Sequence, residues 1–197
     1  MTALLIAVTV VMLAGTAYAR YRISTKAALN MSYNYSNNGV YLWASYNDNY
    51  DKTAEKEEDR AKFLPLGDWT SVSESTYTLD FLLANEGNDK GPAEFDQNVS
   101  LQIFVTEGIA SASNLTVTLS TGSGEYTASA SKVAAGSTVY NAYGAGWIYK
   151  FENNYAQPVN WFLKGQCASA IPMILTVTGE SVEPAALSLI ATGTPAD

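Results

Sequence analysis

Apolar and polar residues alternate with period two along most of the chain after Arg20. Leu29, Met31, Tyr33 and Tyr35 alternate with Asn30, Ser32, Asn34 and Ser36, giving an extended segment one apolar face and one amide-and-hydroxyl face. "SNNG" at 36–39 reads as a turn, and "VYLWASY" at 40–46 reads as the returning strand. The same alternation sets Tyr77, Leu79, Phe81 and Leu83 on one face of 77–85, and Val99, Leu101, Ile103 and Val105 on one face of 98–107. Leu115, Val117 and Leu119 repeat it in 114–121, and further strands are expected at 125–133, 146–153, 159–165, 172–180 and 185–193. Gly, Asn and Pro punctuate the gaps. About nine short strands with no βαβ rhythm predict an all-β fold, an antiparallel β-sandwich of jelly-roll-like type.

One stretch departs from period two. "DKTAEKEEDRAKF", residues 51–63, is rich in Ala, Glu and Lys and predicts a short surface helix capped by Asp51 or Thr53. Eight charged residues between Lys52 and Lys62 leave that helix little apolar face, so it is expected to be solvated.

The N-terminus follows a different rule. Ala3 to Tyr18 is apolar except at Thr9, Gly15 and Thr16, and is shorter than the roughly 20 residues of a membrane span. Ala17-Tyr18-Ala19 has the small-x-small form of a signal peptidase site, which places the cut before Arg20. Met1-Thr2 lacks the basic residues usual before such a core, and the alternative is an apolar helix that the protein retains. The expected organisation is therefore a signal peptide at 1–19, an N-terminal strand segment at 20–36 and a β-sandwich domain at 37–197. Localisation follows as secreted or cell-surface, with no stable membrane anchor after cleavage.

Composition narrows the chemistry. Of 197 residues, 47% are hydrophobic and 15% charged, with a net charge of -8. An acidic chain with no basic stripe has no electrostatic means of holding nucleic acid. Histidine is absent, which removes Ser-His-Asp and Cys-His nucleophile systems and the HExxH zinc proteases. The single cysteine, Cys167, allows no intramolecular disulfide and is expected to be packed in the interior as a small apolar residue. Carboxylates are numerous but fall mostly in inferred loops; Asp80 lies mid-strand on the face opposite Leu79 and Phe81. No acid–nucleophile pair stands out, and the chain is read as a non-enzyme with no cofactor.

Two loops, 47–51 and 85–96, are rich in oxygen ligands, and Asp48, Asp51, Asp89 and Asp96 are weak calcium candidates. Lys52 stands where an EF-hand loop needs glycine. Aromatic residues are abundant, at 13 Tyr, 4 Trp and 6 Phe. Trp43, Tyr50, Trp147 and Trp161 are candidate ligand contacts, because Tyr and Trp suit sugar-stacking platforms as well as cores. Asn30, Asn34, Asn98 and Asn114 head Asn-x-Ser/Thr sequons in a chain where Asn, Ser and Thr are common.

Gly15-Thr16-Ala17-Tyr18-Ala19-Arg20-Tyr21, followed by the strand from Leu29 to Tyr35, resembles the export region and first strand of the TasA and camelysin family of secreted matrix proteins. "STYTLDFLLANEG" followed by "NVSLQIFVTE" is similar to that family's paired strands, and "PMILTVTGE" fits a closing strand. The resemblance implies a jelly-roll domain and self-association into a homopolymer by donor-strand exchange, with Leu29, Met31, Tyr33 and Tyr35 as assembly residues. A camelysin-like protease activity is not carried over, since no histidine is present to ligate zinc. The period-two segment offers a physical basis for the same expectation: an N-terminal strand with one apolar face can complete an open sheet edge of a neighbouring subunit, the alternative being that it pairs within its own domain. The rival is a cell-surface adhesin or carbohydrate-binding module whose partner is a matrix polysaccharide.

Overall fold

A computed structural model of the chain describes residues 39–108, 112–153 and 157–196. Eleven strands, two short helices and one 3-10 turn are found among them. The strands are β1 (Tyr41–Tyr46), β2 (Phe63–Pro65), β3 (Thr70–Ser73), β4 (Thr76–Ala84), β5 (Gln97–Thr106) and β6 (Thr116–Thr121). They continue as β7 (Gly124–Lys132), β8 (Gly146–Phe151), β9 (Trp161–Leu163), β10 (Ala170–Thr178) and β11 (Leu187–Pro195). The helices are α1 (Glu57–Arg60) and α2 (Thr138–Tyr143).

Hydrogen bonding links the strands in the order β11-β5-β8-β7-β6-β10-β4-β1-β2, all antiparallel. The chain curls into two facing layers at β7, whose first half pairs with β6 and whose second half pairs with β8. The all-β, sandwich-like prediction therefore holds. β11 follows β5 from Gln97 to Val105, so β9, paired with Gln97 to Val99, must share the other edge of β5 with β8. One layer runs β2-β1-β4-β10-β6-β7 and the other β7-β8-β5-β11, a sandwich-like arrangement in which no described strand lies outside β11.

Alternation explains the core. Leu79, Phe81 and Leu83 of β4 face inward with Met173, Leu175 and Val177 of β10 and Val117 and Leu119 of β6. The opposite layer contributes Val99, Leu101, Ile103 and Val105 of β5, Tyr149 and Phe151 of β8, and Leu189 and Ala191 of β11. Asp80 points away from this core, as its position between Leu79 and Phe81 predicts. The Tyr149 hydroxyl ties the layers together, donating to Ala112 O at 2.7 Å and accepting from Leu115 N at 2.9 Å.

Three expectations are corrected. The 51–63 segment is helical only over Glu57–Arg60. Asn47 Nδ2 donates to Glu58 O and Ala61 O, and Asp51 N donates to Asp59 O, so long-range partners take carbonyls that a continuous helix would use. The segments containing β4 and β5 are not a strand pair: β4 pairs with β1, β3 and β10, whereas β5 lies in the other layer. Cys167 is exposed rather than packed in the core, because it sits in the turn between β9 and β10. That turn is held by Asn85, which is fully buried. Its amide donates to Lys164 O and Cys167 O and accepts from Ser169 N.

Candidate functional site

Two features of the layer containing β11 stand out. The first is the outer edge of β11. Leu187 to Ala191 are buried on both faces, yet only β5 is hydrogen-bonded to this nine-residue strand among the described residues. The usual guards of a free edge are sparse: Leu187 to Thr194 contain no charge and no proline, and Pro195 stands at the end. Near that end the chain entering β1 crosses close by. A Cβ built on Gly193 would stand 2.5 Å from Val40 Cγ2 and 2.9 Å from Gln97 Oε1. Gln97 is 2% exposed, and its Oε1 has no hydrogen-bond partner; the same is true of the Trp161 indole nitrogen on neighbouring β9.

The second feature is on the outward face of the same layer, which divides into two halves. Phe104, Ile148 and Ile190 form an apolar half covered by α2, with Val133, Val139 and Tyr143 packed on it. Ser137 caps α2, its Oγ accepting from Tyr140 N, and Gly144 at φ 89° ends it. This helix was not expected, although Ser137 and Gly144 are the capping residues that mark its ends. Beyond it the outward residues turn polar: Gln102, Ser100 and Asn98 on β5, Thr192 and Thr194 on β11, and Lys150 on β8. There the face is concave, with a cavity of about 240 Å³ closed on one side by Pro158 and Asn160.

The sequence-derived candidates do not gather at either feature. Leu29, Met31, Tyr33 and Tyr35, and the processing residues Ala17, Ala19 and Arg20, lie outside the described residues. Trp43 stacks between Tyr41 and Phe63 and donates its indole N–H to Glu86 O at 3.0 Å. Lys62 pairs with Glu86 at 2.6 Å beside it. Trp161 is 6% exposed and meets Tyr126 and Phe151 edge-on, a core position rather than a binding platform. Trp147 is half-buried on the inner side of β8, opposite Val105, and Tyr50 is exposed in the loop after β1. These four aromatics form no common surface.

The acidic candidates are equally dispersed. Asp51 accepts from the Thr53 hydroxyl and backbone N–H, which holds its carboxyl below the usual range. Asp96 accepts from Gly165 N at 2.7 Å, and Asp48 and Asp89 are exposed. Among the described residues no three acidic, cysteine or histidine side chains are grouped to hold a metal ion. Asn98 lies in the polar cavity and Asn114 in the exposed turn before β6. No family model matches the chain, and no curated protein or solved structure matches it either.

Proposed function

We propose that this chain is an exported structural protein that assembles into extracellular fibres or a surface matrix. Residues 20–36 of one copy would add as a strand to the outer edge of β11 in the next. The observation that carries this reading is the open edge of β11: a long, uncharged strand, buried on both faces, with one hydrogen-bonded neighbour among the described residues. Such an edge offers a row of backbone donors and acceptors to an incoming strand. The alternation of Leu29, Met31, Tyr33 and Tyr35 would supply a segment with one apolar side, and among the described strands β11 has β5 as its one neighbour.

The test compares chains beginning at Arg20 and at Asn37 by electron microscopy and light scattering, with circular dichroism to check folding. The longer chain should form salt-resistant filaments, and the shorter should stay monomeric with an unchanged β spectrum. A synthetic peptide of residues 20–36 added in excess should cap filament growth. A monomeric longer chain at high concentration would overturn the proposal.

A further inference from the structure

The geometry points to a second site, independent of assembly: the cavity on the outward face of β5, β8 and β11, where amide, hydroxyl and ammonium groups stand over a largely apolar surface, binds one acidic sugar unit of a polysaccharide. Its lining offers three side-chain amides, Asn98 and Gln102 from β5 and Asn160 from the segment just before β9. Ser100 and Thr192 add hydroxyls, and Lys150 is the one charged residue of the lining. No hydrogen bond or ion pair engages the side chains of Asn98, Gln102, Lys150 or Asn160 among the described residues. They are therefore free to serve a ligand.

The chemistry of this set selects among ligands. Each amide presents a donor and an acceptor side by side, which matches neighbouring hydroxyls on a sugar ring. Lys150 has no carboxylate within ion-pair distance among the described residues, so its ammonium offers a single ligand carboxylate a local partner, which must outweigh the repulsion of a chain with net charge -8. The adjoining surface is apolar: Pro158 borders the cavity, and half-exposed Phe162 is the cross-strand partner of Asn98 on the same face. Such a surface takes the C–H face of a sugar ring. At about 240 Å³ the cavity is smaller than a drug-sized pocket of roughly 300–1,000 Å³ and lies open to solvent, so it takes one ring of a chain that continues out on both sides. A uronic acid unit combines the required hydroxyls, ring face and carboxylate.

Isothermal titration of the chain beginning at Arg20 with tetragalacturonate, and with neutral cellotetraose as comparison, tests this. The readout is per protomer and so does not depend on whether filaments form. Binding of the acidic oligosaccharide is expected, weakened about tenfold or more by Lys150→Met and by Gln102→Ala, and severalfold by Phe162→Ala. Asn160→Ala, in a loop outside the sheet, gives a second amide variant should Gln102→Ala lower stability. Cellotetraose should bind at least tenfold more weakly than tetragalacturonate, and its affinity should not change with Lys150→Met. Absence of tetragalacturonate binding at millimolar concentration overturns the proposal. So does equal affinity for the two oligosaccharides, or binding that survives both Lys150→Met and the amide variants.

Discussion

Tyr149 shows how much a single side chain can hold. It is 1% exposed, and its hydroxyl closes the turn before β6 by donating to Ala112 O and accepting from Leu115 N. Tyr149→Phe keeps the ring and leaves that carbonyl and amide buried without a partner, at a cost of about 1–3 kcal/mol. Burial pushes the hydroxyl above its ordinary range, with the Leu115 hydrogen bond acting in the opposite direction. An unfolded tyrosine ionises near pH ~10, so the stability carried by the neutral buried hydroxyl is complete below that value and is lost as pH rises through the higher folded-state value. Urea melts of the two proteins at rising alkaline pH should therefore converge. A difference that stays constant or widens would show that Tyr149 does not ionise on unfolding. The same scale explains Cys167: as one of only a few polar-turn residues around Asn85 it lends its carbonyl to the fold, and its thiol stays outside.

At the scale of the element, β5 and β11 carry the functional reading. β5 alternates cleanly from Gln97 to Ile103, then Phe104 is buried on the outward side because α2 covers it. That change from Gln102 to Phe104 divides the half of the face that holds the cavity from the apolar half under α2. β11 depends on Gly193, where the approach of Val40 and Gln97 leaves no room for a side chain. Gly193→Val should displace Val40 or Gln97, lower stability by about 1–3 kcal/mol, and impair strand addition at this edge more than the stability loss explains. Thermal melts together with filament growth rates check this; growth that follows stability alone would place the incoming strand elsewhere. The 51–63 segment illustrates the reverse case, in which Asn47 and Asp51 bind backbone groups across the loop and override a helical composition.

For the whole molecule, β7 is the joint. It bonds to β6 in one layer and β8 in the other, and Tyr149 bridges the layers near the turn before β6. Strands far apart in sequence are paired, β4 with β10 and β5 with β11, so neither layer closes without the other. The two layers should unfold together. Variants keeping only Trp43 in one layer or only Trp161 in the other should give coincident denaturation curves by fluorescence. Two distinct midpoints would mean that the layers melt independently despite sharing β7.

Period two was enough to determine that the chain is all-β, where most of its strands lie, and which side of each faces the core, because alternation reports the burial of one face. It also marks 29–36, outside the described residues, as a segment expected to have one apolar side. The short strands β2 and β3 carry too few residues to show alternation, and α2 is marked only by its caps. Pairing was decided by the tertiary structure, since hydrogen bonds between distant strands leave no local trace. That is why "TYTLDFLLA" and "QNVSLQIFVT" stand in opposite layers although they follow each other in sequence. For the same reason Asn98, Ser100 and Gln102 read in sequence only as a solvent-facing row. Curvature, with Thr192, Lys150 and Asn160 brought in from three other segments, turns that row into a cavity, and the strand order leaves β11 at the edge of the described strands.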